Sequence, residues 1–458
     1  MATYSTKIDI LGSFAFIVFW VLAVFPTLPF LPIGRTAGSL LSAALMVLFQ
    51  VVSPDQAYES LDLSILALLF GTMVVSVYIE RADAFKYLSK LLSWKIIGAK
   101  DLICRICLVS AITSAFFTND TACVVLTKFV VKIAQENNLP PLPFLLALAS
   151  SANIGSAATA IGNPQNFIIA SESNMSFCQF LSGMIAATVA GVFANALLIL
   201  CMFWNLLSVA NDENGYTYQF SPNDQENGVQ TTSNGRISSE HDLPASRNSN
   251  LFEKWKGKFQ KTCVYLIVLG MLIALLAGQD MSWTAITAAL ALVVLDFKDA
   301  APCFDKVSYS LLVFFCGMFI TVEGLDKTGI PSLLWDSVEK YTSIDTASGV
   351  AVVSLAILLL SNLISNVPTV LLLGYRMATA AAVVSSGNEK KAWLILAWVS
   401  TVAGNLSLLG SAANLVVCEQ AHRAALPPLG YTLTFGNHLK FGLPSTLIVT
   451  AIGLTIIN

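Results

Sequence analysis

The sequence predicts an all-α polytopic membrane protein folded as two inverted-topology repeats, each with five spans, one of them broken, plus a re-entrant helical hairpin. Three observations lead there. Hydrophobic residues make up 55% of the 458 and charged residues only 12%, about half the charged share of a soluble domain. Apolar runs long enough to cross a bilayer core of about 30 Å recur along the chain. The same order of parts then occurs twice, so that one half reads as a copy of the other. The nine cysteines lie mostly within apolar segments without disulfide or zinc spacing. Cys104 and Cys107 share a helical face and read as packing residues. No cofactor, metal or nucleic-acid partner is expected. The apolar segments hold no His/Asp/Glu cluster and no nucleophile–base set, which argues against an enzyme.

The first repeat occupies residues 1–207. Its first spans fall near 9–29, 35–52 and 61–80, and the first has neither a basic leader nor a cleavage-like end, so it reads as a retained span. Phe85, Leu88, Leu91, Leu92 and Trp94 then interleave with Lys86, Lys90 and Lys95, an amphipathic stretch suited to the membrane interface. From 101 to 135 two apolar pieces, each short for a span, flank the polar tip Thr118-Asn119-Asp120-Thr121. A re-entrant hairpin fits better than two crossings. The segment 142–170 is apolar but broken at Gly155, Gly162 and Pro164, with Asn153, Ser156, Thr159, Asn163, Gln165 and Asn166 crowding the break. A helix broken at mid-membrane leaves free N–H and C=O groups aimed at one spot, as in many secondary transporters. An uninterrupted span at 179–207 follows.

Residues 208–261 read as a linker, because Asn, Ser, Gly, Asp and Glu dominate 211–250 and leave too little apolar area to bury a core. The second repeat covers 262–458. Leu61–Met73 is echoed by Val307–Phe319, with Ser64 on Ser310 and Gly71 on Gly317. In that register Glu80-Arg81 falls on Asp326-Lys327, and each doublet reads as an interfacial ion pair. A second hairpin over 347–384 carries the tip Ser365-Asn366-Val367-Pro368-Thr369. A second broken helix over 393–418 is interrupted at Gly404-Asn405-Leu406-Ser407 and Gly410-Ser411-Ala412-Ala413-Asn414. Five crossings per half is odd, so the halves must lie upside down relative to one another. Arg81, Lys86, Lys90, Lys95, Lys100, Lys132 and the lysines at 254–261 collect on one face. That face is expected to be cytoplasmic, with the linker, and both termini outside.

Two sets of motifs carry a family likeness. Phe117-Thr118-Asn119-Asp120-Thr121, Ser151-Ala152-Asn153-Ile154-Gly155-Ser156 and Gly162-Asn163-Pro164-Gln165-Asn166 resemble the hairpin and broken-helix motifs of the arsenical-pump (ArsB-type) branch of the ion transporter superfamily. The run from Phe25-Pro26 through Pro32-Ile33-Gly34-Arg35-Thr36-Ala37-Gly38, with Ser53-Pro54-Asp55 and Pro368–Gly374, is similar to plant silicon efflux transporters. The likeness covers nearly all of the membrane part. It implies a proton-coupled plasma-membrane exporter of orthosilicic acid, with arsenite as a second cargo, and leaves a homo-oligomer open.

The residues make physical sense of that implication. A small neutral polyhydroxy acid calls for amide and hydroxyl partners. The tips and breaks offer Asn119, Thr121, Asn153, Ser156, Asn163, Asn166, Asn366, Thr369, Asn405, Ser411 and Asn414 as candidate binding residues, with no Arg or Lys among them. An anionic cargo would call for a fork-like Arg. Asp120 is the one carboxylate at a tip, facing Val367 in the repeat, and is the candidate proton-coupling residue; its alternative role is a helix cap. Lys128, two turns on, reads as a snorkelling side chain. A Na⁺-coupled carboxylate symporter or Na⁺/H⁺ antiporter on the same scaffold stays open, since Asn and Ser oxygens also suit Na⁺.

Overall fold

The computed structural model describes residues 2–24, 34–94, 97–212, 245–296, 300–424 and 433–457, and every regular element among them is helical. The first half begins with α1 (Ala2–Val24) and α2 (Gly34–Leu48), which pack together. The short α3 (Pro54–Glu59) starts at a capping box between Ser53 and Gln56. Next come α4 (Leu63–Arg81), capped by Asp62, the amphipathic α5 (Ala84–Ser93), and the pair α6 (Ala99–Phe117) and α7 (Asn119–Glu136). The broken helix is α8 (Pro141–Ser156) followed by α9 (Pro164–Glu172); α10 (Phe177–Met202) and α11 (Trp204–Asp212) complete this half.

The second half holds α12 (Ala245–Leu276), α13 (Met281–Leu295), the one-turn α14 (Ala301–Phe304), α15 (Tyr309–Lys327) and α16 (Ile330–Val338). The pair α17 (Ala347–Ile364) and α18 (Asn366–Val384) follows, then α19 (Ser386–Ala403), a 3-10 turn at Leu408–Gly410, α20 (Ala412–Ala424) and α21 (Phe435–Ile456). Among the described residues, seven helices are long and apolar enough to cross a membrane, including α4, α10, α15 and α21. Of the expected linker at 208–261, the flanks belong to α11 and α12, and residues 213–244 lie outside the described residues.

Helices from the two halves interlock. α2 packs along α15, and α4 along α13. The two glycines aligned by the sequence sit at these contacts. A Cβ on Gly71 would lie 2.8 Å from the backbone carbon of Ala285, and one on Gly317 would lie 2.6 Å from that of Ser39. Small residues are what let membrane helices approach so closely. In the second bundle α6 packs on α8, α18 on α19, α7 on α20 and α9 on α18. α8 from Pro143 to Ser156 and α19 from Ala392 to Ala403 are buried on every side, as helices apolar all round must be. The broken helices therefore form the centre of the molecule.

Neither expected interfacial doublet pairs within itself. Arg81 Nη1 reaches Asp296 Oδ2, at the C-terminal end of α13, at 2.8 Å. Asp326 accepts from Arg376 of α18 at 2.5 Å, and Lys327 pairs with Glu323 at 3.5 Å. Adjacent residues on a helix do not face one another, so Arg81, Asp326 and Lys327 each pair with another residue. Lys128 is exposed.

Candidate solute-binding site

Each hairpin turns at one residue with positive φ that is not glycine: Thr118 (φ 73°) between α6 and α7, and Ser365 (φ 80°) between α17 and α18. With ψ near 150° this is backbone territory that costs a side-chain-bearing residue of order 1–3 kcal/mol, so the surrounding packing must hold it. At the first tip the Thr118 hydroxyl accepts from the Thr121 N–H at 3.4 Å, and the Asn119 N–H donates to Gly162 O at 3.2 Å. The hairpin is thereby tied to the break in the neighbouring helix.

The two breaks are closed in the same way. Asn166 Nδ2 donates to Ser156 O at 2.9 Å and Thr159 O at 3.2 Å. Asn414 Nδ2 donates to Gly404 O at 2.7 Å and Ser407 O at 3.0 Å. In each case an amide in the first turn of the second half-helix ties a carbonyl at the end of the first half-helix to one in the connecting loop. Asn163 caps α9 by accepting from Asn166 N at 3.3 Å, and Ser411 accepts from Ala413 N at 3.2 Å at the start of α20. Glycine is required at the break: a Cβ on Gly162 would fall 2.1 Å from Ser156 O.

Asn153 joins these parts. Its Oδ1 accepts from Asn119 Nδ2 and Ser411 Oγ, both at 3.0 Å, and its Nδ2 donates to Asn405 Oδ1 at 2.9 Å and Asn414 Oδ1 at 3.1 Å. Thr401, which the offset from Gly162 to Gly410 places opposite Asn153, donates to Asn166 Oδ1 at 3.1 Å. Asn405 N–H₂ and its carbonyl are held by Ser150 O and by His438 Nε2.

In front of this network lies a cavity of about 150 Å³, room for roughly five waters at about 30 Å³ each. The N-termini of α7, α9, α18 and α20 all open onto it through Asn119 and Asp120, Asn163 to Gln165, Asn366, and Ser411 with Ala412. Helix N-termini bring partial positive charge and unpaired N–H groups. The outer wall is Phe19 and Trp20 of α1, Arg35 of α2, and Phe314, Phe315 and Met318 of α15. Among the described residues, Asp120 Oδ1 and Asn366 Oδ1 are buried with no hydrogen-bond partner, and both residues line the cavity.

The structure thus divides the sequence candidates. Asn119, Asp120, Asn163, Asn366 and Ser411 line the cavity. Asn153, Ser156, Asn166, Asn405 and Asn414 stand behind it, saturated by the network, with Asn153 1% exposed and Asn414 fully buried. Thr121 bonds Thr118, and Thr369 donates back to Ser365 O at 2.9 Å, so neither hydroxyl is presented to the cavity. The wall also contains a cation that the tips lack. Arg35, one residue after Gly34 with its φ of 75°, lies with its guanidinium carbon 5.8 Å from the Phe314 ring centre. Nothing about its spacing marked it as a wall residue, because it lies in a different helix from every break.

A family model described as a citrate transporter (CitMHS) matches residues 17–403. The silicon efflux transporter LSI3 of Oryza sativa subsp. japonica is 52% identical, covering 100% of this chain and 99% of its own. A putative transporter arsB of Dictyostelium discoideum is 30% identical over 93% of this chain and 88% of its own. Among solved structures, the YdaH transporter of Alcanivorax borkumensis superposes with a TM-score of 0.49 at 15% identity, covering 98% of this chain and 97% of its own. The chain therefore belongs to the citrate-transporter (CitMHS) family, in the company of the rice silicon efflux transporter and the arsB relative, and is a multi-pass membrane transporter of a small solute rather than an enzyme.

Proposed function

We propose that this transporter exports orthosilicic acid from the cell in exchange for protons, by alternating access about the cavity. The observation that carries the reading is the pair of unpartnered acceptors, Asp120 Oδ1 and Asn366 Oδ1, in a small chamber onto which four helix N-termini open. A tetrahedral acid with four hydroxyls can donate to both acceptors while accepting from the N-terminal N–H groups. Among the described residues the chamber wall holds one cation, Arg35, and one carboxylate, Asp120, so a neutral solute meets no net charge. The rice relative's silicon efflux and the arsB relative support this cargo class, with arsenite as a second neutral polyhydroxy solute.

The two halves, residues 1–207 and 262–458, act as inverted repeats in this reading. The matched glycine contacts and the matched asparagine closures support it. The chain lies in the plasma membrane with both termini outside and residues 208–261 in the cytoplasm, as the lysine distribution implies. With the site open outward, Asp120 takes a proton; the site returns inward, the proton leaves, and solute binds in its place. One proton enters for each acid exported, and the net cycle follows the inward proton gradient.

The second reading, a Na⁺-coupled carboxylate symporter, gains one specific observation, the Arg35 guanidinium in the wall. Proteoliposome efflux separates the two. Asp120→Asn keeps size but cannot release a proton, so it should bind silicic acid yet lose pH-driven efflux. Arg35→Gln should leave silicic acid affinity within a few fold, whereas a carboxylate cargo would lose a charge-assisted bond of about 1.5–3 kcal/mol. Unchanged pH dependence in Asp120→Asn would sink the proton mechanism.

A further inference from the structure

A second cavity, of about 460 Å³, lies between α6 and α10 over the end of α8. Its floor is made of small residues, Ala111, Ala115, Gly155 and Ala158, all buried. Its rim is large and exposed: Leu108 is 57%, Val189 62% and Phe193 66% accessible. The one hydroxyl lining it, Thr188, is already spent on Met184 O at 2.9 Å. No polar solute would find a partner here.

The groove is bounded by Cys104 and Leu200 at one end and by Ala115 and Ile185 at the other, so the two helices run antiparallel along it. From Cys104 to Ala115 the helical rise gives about 16 Å, which matches one leaflet, half of a hydrocarbon core of about 30 Å. Just beyond the first end stand Lys100 of α6 and Trp204, the first residue of α11. The Lys100 ammonium lies 3.4 Å from the centre of the Trp204 ring. Among the described residues no carboxylate pairs with Lys100; the nearby Asp101 is taken by Arg105 at 2.7 Å. Trp and Lys at the end of an apolar groove are the residues that meet lipid headgroups.

We propose that this groove is a binding site for one anionic phospholipid, an acyl tail lying along α6 and α10 and its phosphate on Lys100. Charge complementarity at Lys100 and the leaflet-length groove beneath it argue for a lipid. The floor is the back of the first hairpin and of the first broken helix. An occupied groove therefore supports the wall behind Asn119 and Asn153 without touching the solute cavity.

The full-length protein, purified and placed in nanodiscs of phosphatidylcholine with or without phosphatidylglycerol, provides the test by native mass spectrometry after delipidation. One phosphatidylglycerol per chain should be retained in preference to phosphatidylcholine. Lys100→Gln should reduce that preference about fivefold, the effect of about 1 kcal/mol for a basic residue near anionic headgroups. Ala111→Phe should abolish retention of either lipid. Leu197→Trp, on the exposed rim, should weaken it in a variant that folds normally. Lys340→Gln serves as control, since Lys340 also sits over an aromatic ring, Tyr341 at 4.8 Å, but lies apart from this groove. Retention unchanged by Lys100→Gln and by Leu197→Trp would overturn the proposal. So would a lipid-free dimer that Leu197→Trp splits, which would assign the groove to a second copy.

Discussion

Substituting Asn153 tests whether the packed network, rather than the cavity wall, holds the broken helices in register. Asn153→Ala removes four hydrogen bonds of 2.9–3.1 Å. Asn119 retains a 3.5 Å contact to Ser411, but Asn405 Oδ1 and Asn414 Oδ1 lose the donor that Asn153 supplied. Two buried acceptors left unmade cost about 1–3 kcal/mol each. Four hydrogen bonds at the membrane-protein average of about 0.6 kcal/mol give about 2.4 kcal/mol. The loss should thus be about 2–6 kcal/mol. Asn153→Asp should be worse than alanine. It keeps the acceptor toward Asn119 and Ser411 but turns a carboxylate oxygen toward two carbonyl oxygens, in a site 1% exposed where an uncompensated charge is costly. Thermal unfolding of purified protein should rank wild type above Ala and Ala above Asp. An Asp variant as stable as wild type would refute the hub and its donor assignments.

Three further outcomes are expected. Gly155→Ala places a Cβ 2.3 Å from Ala111 Cα and so should cut the yield of folded protein sharply; Gly270→Ala, which meets nothing within 4 Å, should leave yield unchanged or raise it, both read by fluorescence size exclusion. Asp83 is held below its usual range first by the hydrogen bond from Lys261 and then by that from Lys86. A depressed carboxyl contributes stability above its unfolded pKa and loses it as pH falls through the folded one, so wild type and Asp83→Asn should differ slightly and constantly at neutral pH and converge only below about pH 4, measured by melting temperature against pH. In a cysteine-free background, Asn174→Cys should be labelled from outside intact cells and Gln230→Cys should not; the reverse would invert the proposed orientation.

Much of the fold was legible because membrane burial writes it in composition. The segments 101–135, 347–384, 142–170 and 393–418 each fold as two consecutive helices, α6 with α7, α17 with α18, α8 with α9, and α19 with α20, and α17 and α18 are each long and apolar enough to cross a membrane. Hydrocarbon tolerates polar tips and glycine-proline interruptions inside apolar runs only where protein buries them or where they line a cavity. What composition could not separate is the polar side chain that faces solute from one that repairs backbone. Asn166 and Asn163 are three residues apart at one break, yet the first is spent on Ser156 O and Thr159 O while the second reaches the cavity. Sequence also hid every partner that comes from a distant helix. Arg35 and Trp20 in the wall, Asp296 beneath Arg81, and Arg376 against Asp326 depend on how separate helices cross, which local pattern does not encode.

The matched closures and the unmatched tips divide the labour of the site. Asn166 and Asn414 repair their breaks through carbonyls at the same two spacings, and Thr118 and Ser365 turn their hairpins with the same backbone conformation. In the alternating-access cycle proposed above both halves must be equally sound, and backbone satisfaction in a low-dielectric interior allows little variation. The polar chemistry at the tips departs from that likeness. Asp120 stands where the other tip has Val367, and Asn153 where the other break has Thr401. A second carboxylate opposite Asp120 in a chamber of about 150 Å³ would add a buried like charge that repels the first at close range. A single acid avoids that repulsion, as the proposed exchange of one proton for one neutral solute requires. On this reading, restoring the likeness by Val367→Asp would impair the cycle rather than double it, because the carboxylate of Asp120 would no longer be the sole site for the returning proton.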